Sequence, residues 1–374
     1  MPRKLGNEYS PDLVSPPGET LIGILEEQGM TQVAFAVRTG RTPKLINEIV
    51  KGKAPITTET AIQFERVLGV SASFWNNRER AYQEFLAMEA ERKKLSLMLE
   101  WCRRFPLASM TKLGWIEKSN NKVAQLRTLL DYFGVATPEA LESTRAQTSI
   151  AYRKSGMYDA DKYALATWLR VGEIVGRKIT CAPYNPREFK AALTRVRKLT
   201  TKAPGEFQRM IVEEFSKCGV AIAFVPELPR ISASGATRWL SPTRALIQIN
   251  LRYRTDDHFW FTVFHEAGHV LFDSKKMIFV DTRKFDGEFE DKANRFAGEF
   301  LVPRKALGRL AAQYDGEKRG PSRISITNLA KELKIAPGIL VGQLQHAGYL
   351  QYSHCNDLKR SFSWENDGAS SDSK

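Results

Sequence analysis

Cysteine is scarce in this chain of 374 residues. The four cysteines, Cys102, Cys181, Cys218 and Cys355, lie far apart, and no C-x-x-C pair occurs. This spacing argues against a disulfide framework and against a zinc site built from paired thiolates. We therefore expect a reduced, cytoplasmic protein.

Long uncharged runs are also missing. No stretch of about 18 residues is free of charge, which predicts no transmembrane helix and no membrane partner. The first residues, MPRKLGNEYSPD, have no apolar run after their basic side chains, so we expect no signal peptide. The 43% of residues that are apolar are enough to form the cores of two or three domains.

The net charge of +14 is spread unevenly along the chain. Residues 1–81 carry 10 Lys and Arg against 9 Asp and Glu, residues 82–220 carry 24 against 15, and residues 221–374 carry 22 against 18. A basic middle can hold phosphate or dock an acidic partner. It is equally typical of a solvated helical surface, so charge alone assigns this region no function.

Short helical patterns fill the region that follows a polar, flexible lead-in over residues 1–18. Apolar spacings predict about five helices between residues 19 and 82. Within them, MTQVAFAVRTGRTPKLINEIVKGK has the spacing of a helix-turn-helix. Ala36 is small where two helices cross, Gly40 makes the turn, and Ile46 packs the second helix against the first. A long charged helix is predicted to continue over residues 82–104.

The second helix of this pattern is predicted to read double-stranded DNA. Side chains at 42, 44 and 47 can reach base edges in a major groove, and those at 32, 51 and 53 suit phosphates. The candidates are Gln32, Thr42, Lys44, Asn47, Lys51 and Lys53. A homodimer would supply two half-sites. The near-neutral charge leaves open an interaction module that contacts no DNA.

The remaining pattern predicts an α+β region. Residues 105–219 are mostly helical, and three short β-branched segments at 219–228, 234–240 and 244–251 predict a small antiparallel sheet. Helical spacing returns from Asp256 onward. The polar tail over residues 359–374 is expected to be disordered.

The segment FHEAGHVLF carries the strongest chemical pattern. His265 and His269 are four residues apart, which puts both imidazoles on one face of a helix, and Glu266 lies beside them. The flanking residues are apolar, so these polar groups need partners. Such a pair needs a third protein ligand to hold Zn²⁺ while one coordination position stays open for water.

The next acidic helix offers that ligand. In EFEDKANRFAGEFLVP, Glu290 shares a face with the small Ala293 and Ala297, which permit close approach to the first helix. We take Glu290 as the third ligand, with Glu288 and Asp291 as alternatives. A pair of core histidines bonded to backbone, with Glu266 in an ion pair, is the competing interpretation.

A zinc ion at this place would supply a Lewis acid and an acidified water. Glu266 would accept the proton and deliver it to the leaving amine. An extended peptide is expected to lie along the sheet edge near ALIQINL. Candidates for a second oxyanion contact are His346, Tyr253 and Arg254, whereas His258 is interpreted as a surface or capping residue.

Two stretches resemble known families. Residues about 17–82 resemble the Xre-type helix-turn-helix of the HigA/VapI antitoxin group. Residues about 140–350 resemble the ImmA/IrrE metallopeptidases, through SGATRWL, FWFTVFHEAGHVLF, EDKANRFAGEFLVP and SITNLAKELKIAPGILVGQLQHAGYL. The implied organisation is an all-α helix-turn-helix domain (19–82), a helical linker (83–140), a zincin-like metallopeptidase domain (141–315) and a trailing helical module (316–358).

The resemblance implies zinc bound by His265, His269 and Glu290, with Glu266 as the general base. Members of the peptidase family cleave repressors or antitoxins and so derepress mobile-element or stress-response genes. The implied protein is a transcriptional regulator that binds operator DNA and cleaves a repressor or antitoxin-like protein. The alternative is an antitoxin or repressor whose second domain senses metal or holds a partner without proteolysis.

Overall fold

The computed structural model describes residues 14–144, 161–272, 278–280, 288–314 and 320–364. The chain divides into two compact units, Met1–Leu99 and Glu100–Lys374, called here the first and second units. Over the described residues, no helix combines the length and the apolar composition that crossing a membrane requires.

The first unit is helical over its described part. Its helices are α1 (Pro17–Glu27), α2 (Gln32–Thr39), α3 (Pro43–Val50), α4 (Thr58–Leu68) and α5 (Ala72–Ser96). Hydroxyl side chains of Thr or Ser cap the N-termini of α2 to α5 by accepting a backbone N–H. Phe35, Phe64 and Trp75 are fully buried and form the centre of the core, with ring centroids 4.8 and 5.5 Å apart.

Both ends of this unit differ from the sequence prediction. The lead-in was expected to be flexible through residue 18, but α1 begins at Pro17, and a side chain at Gly18 would collide with the backbone of α3. Arg78 also donates to the Ser15 carbonyl. Residues 1–13 lie outside the described residues. The long helix ends at Ser96 rather than 104.

The second unit combines helices with one small sheet. Its helices are α6 (Leu99–Cys102), α7 (Leu107–Lys112), α8 (Lys122–Phe133), α9 (138–144), α10 (Lys162–Lys178), α11 (Pro186–Arg197), α12 (Pro204–Ser216), α13 (Asp256–Phe272), α14 (Glu288–Leu301), α15 (Arg304–Ala312), α16 (Arg323–Leu333) and α17 (Pro337–His346). Its strands are β1 (Val220–Phe224), β2 (Gly235–Ser241), β3 (Arg244–Ile249) and β4 (Phe279–Val280). The α+β class is confirmed.

The sheet is mixed, so the prediction of an antiparallel sheet is wrong. The strand order is β1-β3-β2-β4, with β1 parallel to β3 and the other pairs antiparallel. The first four residues of β1 are all buried, as expected of a strand covered on both faces. Because β3 is paired on both sides, the predicted peptide-binding edge at ALIQINL is already occupied.

Alternate side chains of the sheet face two different helices. On one face, Gln248 donates to the Trp168 carbonyl of α10 over 2.7 Å. On the other face, Ile247 and Ile249 join the core that contains α13. The sheet thus separates α10 from α13, and α13 also packs against α14 and α17. This position buries nearly every residue of α13 from Asp256 to Val270.

The start of α13 is fixed by a segment more than a hundred residues later. Arg360 pairs with the buried Asp256 at 3.2 Å, and Lys359 pairs with Asp257 at 2.7 Å. Phe362 is 6% exposed and packs on Phe259. The prediction of disorder from residue 359 is therefore wrong as far as residue 364. Residues 365–374 lie outside the described part.

Candidate metal centre

Two buried imidazoles of α13 form the first half of the site. His265 and His269 are each 1% exposed, and their Nε2 atoms are 3.1 Å apart. The other ring nitrogen of His265, Nδ1, lies 2.9 Å from Asn294 Oδ1. Because an amide oxygen only accepts, Nδ1 carries the proton, which leaves the Nε2 lone pair directed into the cluster.

Helix α14 brings the third group. Glu290 is 6% exposed, and its Oε2 and Oε1 lie 3.1 Å from His265 Nε2 and 3.4 Å from His269 Nε2. Burial pushes the pKa of Glu290 upward. When His265 and His269 are protonated on Nε2, their hydrogen bonds and positive charges outweigh burial and hold this pKa at about 2. Ala293 and Ala297 face α13. A Cβ added at Gly268 of α13 would lie 3.2 Å from Ala293 Cα and 3.3 Å from Ala293 Cβ. Small residues thus allow the close helix contact that unites the three groups.

The three groups fit a metal ion. Their ligand atoms all lie within 4.8 Å of one another, and the shortest distance for each pair is 3.1 to 3.4 Å. Two ligands bound tetrahedrally through bonds of about 2.0–2.1 Å are roughly 3.4 Å apart. Two imidazoles with a carboxylate are also a donor set that transition-metal ions accept.

Glu266 lies beside this cluster and is held by strand β2. It is 0% exposed, and its Oε2 accepts a hydrogen bond from the Thr237 hydroxyl over 2.6 Å. A Cβ at Gly235 would come within 2.5 Å of Glu266 Oε1 and 2.7 Å of its Cγ. Strand β2 therefore provides both the room and the hydrogen bond that fix this carboxylate.

Three supporting residues were missed from the sequence. Asn294 orients His265, Thr237 contacts Glu266, and the Phe279 ring stacks on His269 with centroids 4.3 Å apart and planes at 10°. A signal for Asn294 was present, since it lies one turn after Glu290 on the same face of α14. The other two lie on strands, and no local spacing relates them to α13.

The remaining sequence candidates lie outside the cluster. Glu288 and Asp291 of α14 are exposed, and within the described residues neither joins the three convergent groups. The His258 ring lies tilted against Tyr253 near the start of α13, with ring centroids 4.6 Å apart. His346 is exposed at the end of α17. The contacts described above for the candidate ligands and Glu266 involve Asn294, Thr237 and Phe279. They do not include His346, Tyr253 or Arg254, the candidates for a second oxyanion contact.

The candidate DNA contacts lie on the surface of the first unit. Lys44, with a side chain 84% exposed, and Asn47 lie on α3, and Lys51 and Lys53 follow it and are exposed. Gln32, the first residue of α2, is half-buried. The predicted base contact at 42 has a second role: Thr42 caps α3, and its Oγ1 accepts from Leu45 N over 3.2 Å. Its hydroxyl proton is still available to donate.

Comparisons with known proteins divide along the same two units. Residues 23–75 match the family model described as a helix-turn-helix, and residues 231–341 match the peptidase model described as an IrrE N-terminal-like domain. Virulence-associated protein I of Dichelobacter nodosus is 32% identical over 84 residues, which are 22% of this chain and 77% of that protein.

Solved structures similar to this chain match over the same fraction of its length. The antitoxin HigA of Pseudomonas aeruginosa, solved with the higBA promoter, is 29% identical over 22% of this chain and 90% of its own, with a TM-score of 0.21. An addiction module antidote protein of the HigA family from Coxiella burnetii is 25% identical over 22% of this chain and 91% of its own, also with a TM-score of 0.21. The chain belongs to the virulence-associated protein I family of helix-turn-helix proteins, and an IrrE-like peptidase domain is joined to it.

Proposed function

We propose that this protein is a DNA-binding transcriptional regulator whose second unit is a zinc-dependent endopeptidase. The observation that carries the proposal is the convergence of His265, His269 and Glu290 in a buried cluster with Glu266 fixed beside it. Four such groups on two helices would be costly to bury without a cation to bind them. The match to an IrrE-like peptidase model supports the same conclusion.

The chain's own residues account for most of the chemistry. A bound zinc ion would polarise the scissile carbonyl and lower the pKa of water toward about 7. Glu266, beside the cluster, accepts a proton from the attacking water and returns it to the leaving amine. Asn294 keeps the His265 proton on Nδ1, so that Nε2 remains a ligand. The buried walls exclude bulk water from competing for these groups.

The test is zinc per chain, measured by elemental analysis after purification with added zinc. We expect about one zinc in the wild type and little or none in His269→Ala or Glu290→Ala. Matched controls lie on the same two helices. His258→Ala and Glu288→Ala are expected to keep the metal, because neither residue belongs to the cluster. Wild type without stoichiometric zinc, or zinc kept by both ligand variants, would refute the site.

The first unit is proposed to deliver the peptidase to operator DNA. HigA of Pseudomonas aeruginosa was solved with a promoter, and its matched region spans most of that protein. Gln32, Thr42, Lys44, Asn47, Lys51 and Lys53 are the proposed contacts. A tethered peptidase meets a protein bound nearby at high local concentration. We propose a repressor or antitoxin-like substrate and a cytoplasmic site of action, with homodimerisation supplying two half-sites.

A second function is considered because the helix-turn-helix match, residues 23–75, lies within the first unit and can act without proteolysis. The peptidase unit would then sense metal or hold a partner without cleaving it. Glu266→Gln separates the two: this change removes the base but leaves all three ligands in place. A variant that keeps zinc and loses every regulatory effect in the cell supports cleavage. A variant that regulates like wild type supports the binding function.

A further inference from the structure

One cross-strand pair of the sheet contacts both the candidate base, Glu266, and a candidate metal ligand, His269. Thr237 of β2 and Phe279 of β4 are register partners in an antiparallel pair. Side chains of such partners point to the same face of a sheet. Here that face is the one that covers α13. The two side chains therefore reach neighbouring turns of the same helix, at Glu266 and at His269.

Among the described residues of the centre, the hydrogen bonds of Thr237 go to Glu266. Its hydroxyl is 2.6 Å from Glu266 Oε2 and 3.1 Å from the Glu266 backbone carbonyl. An ionised carboxylate only accepts, so the single hydroxyl proton goes to Oε2 at the shorter distance. Both side chains are buried, at 1% and 0% exposure. With Gly235 leaving the space that the carboxylate fills, this hydrogen bond selects one orientation of Glu266.

Among the described residues of the centre, Phe279 stacks on the ligand His269. Its ring lies nearly parallel to the His269 imidazole, with centroids 4.3 Å apart, and it is 5% exposed. The ring donates no hydrogen bond and carries no charge, so its effect is to restrict the rotation of the imidazole. Restricting a ligand before the metal arrives reduces the entropy lost on binding.

We propose that Thr237 is a positioning residue for Glu266 and that Phe279 is a positioning residue for His269. A single cross-strand pair then supports the base and a ligand separately. This inference rests on the proposed zinc peptidase function and adds two residues to it. It predicts that the two substitutions change two different measurable quantities, which a general loss of packing would not do.

The experiment uses the full-length protein and two probes. The first probe is zinc itself, measured as content and as affinity in competition with a chelator. The second is acetohydroxamic acid, which can bind zinc as acetohydroxamate after its hydroxyl proton passes to a neighbouring carboxylate, titrated into zinc-saturated protein by calorimetry. Glu266→Gln is the reference for loss of the base. Thr237→Ser keeps the hydroxyl and is the matched control for Thr237→Val.

The expected results differ between the two positions. Thr237→Val keeps zinc affinity within about twofold of wild type and weakens acetohydroxamate binding roughly tenfold or more, as expected when a hydrogen bond to a charged group is lost. Thr237→Ser restores most of that binding. Phe279→Leu weakens zinc binding roughly tenfold, as is typical of residues that orient a ligand. Once saturated with zinc, this variant binds acetohydroxamate like wild type.

Three outcomes would overturn the inference. Equal acetohydroxamate affinity in Thr237→Val and wild type, with Glu266→Gln weakened, removes the role of Thr237 and leaves the peptidase proposal intact. Parallel losses of zinc and acetohydroxamate at both positions indicate packing alone. Wild type that holds no zinc refutes the proposed function itself, and elemental analysis identifies that failure before any variant is compared.

Discussion

The two units place their functional side chains in opposite environments. In the first unit, the candidate DNA contacts Lys44, Asn47, Lys51 and Lys53 are exposed on or just after α3. In the second unit, the three candidate metal ligands and Glu266 are between 0% and 6% exposed. Exposed side chains such as these can therefore be exchanged, and the bound sequence changed, without repacking the core of the unit. The metal centre has no such freedom, because its groups are themselves part of the core.

The difference also concerns which distant residues each site depends on. Helix α3 and its caps lie within a contiguous segment of the first unit. The metal centre draws on α13, α14, β2 and β4, and its helix is fixed at the start by residues 359–362. Substitutions far from the candidate metal centre should therefore alter that site and leave α3 unchanged.

Phe264→Ala should give the largest effect. Phe264 is 0% exposed beside His265 and packs on Trp260 and Phe300. Removing its ring leaves a cavity, and we expect a loss of about 3–5 kcal/mol in the free energy of unfolding of the second unit, measured with urea. Val37→Ala is the control, since Val37 is 74% exposed on α2, and its change should stay within about 0.5 kcal/mol. Similar losses for both would contradict the contrast between core and surface.

Lys44→Ala should give an intermediate effect, on binding rather than on folding. The Lys44 side chain is 84% exposed, so the free energy of unfolding should change by less than about 0.5 kcal/mol. If Lys44 contacts a base, affinity should fall by about 1–3 kcal/mol. The measurement is fluorescence anisotropy with duplex DNA that the wild-type protein selects from a random pool. Lys93→Ala, an exposed lysine on α5, is the control. Unchanged affinity would remove Lys44 from the DNA-facing surface.

The smallest effect is expected from an ion-pair cluster on the α10 face of the sheet. Burial raises the pKa of Glu173, but Arg238, Arg170 and Arg177 outweigh it and lower the pKa below its usual 4.5. Because the folded pKa is depressed, the stabilisation is complete above about pH 4.5 and is lost as pH falls through the folded value. Glu173→Gln should therefore lose less stability than wild type between pH 6 and pH 3 in urea titrations. The control Glu206→Gln, at an exposed position, should lose stability over this pH range as wild type does. A steeper loss of stability in Glu173→Gln than in wild type would contradict a lowered pKa of Glu173.

How far the sequence predicts the metal centre depends on whether its residues are close in the chain. The spacing of His265 and His269 determines their geometry once a helix is assumed, and small residues on one face of α14 pointed to Glu290. Thr237 and Phe279 depend on strand register and on which face of the sheet α13 covers. Neither can be read from local periodicity, because both arise from tertiary packing.

The errors in the fold have the same origin. Three of the four strands were placed correctly by their composition and β4 was not predicted, and β1 pairs with β3 rather than with its sequence neighbour β2. The uninterrupted apolar run VAIAF was a signal for a strand covered on both faces. At residues 359–364 the charged Lys359 and Arg360 suggested solvent, because their buried partners Asp256 and Asp257 lie about a hundred positions earlier.

The attachment of residues 359–362 to the start of α13 also sets an order of events during synthesis. Domains fold as units as the chain leaves the ribosome, beginning from the N-terminus. The first unit is complete once residue 99 has emerged. The second unit must wait for Arg360 and Phe362, which seal the helix that carries both histidines. Helix α3, with the candidate DNA contacts, therefore folds before the start of α13 is secured, and a chain stalled before residue 359 would carry only the first unit in folded form.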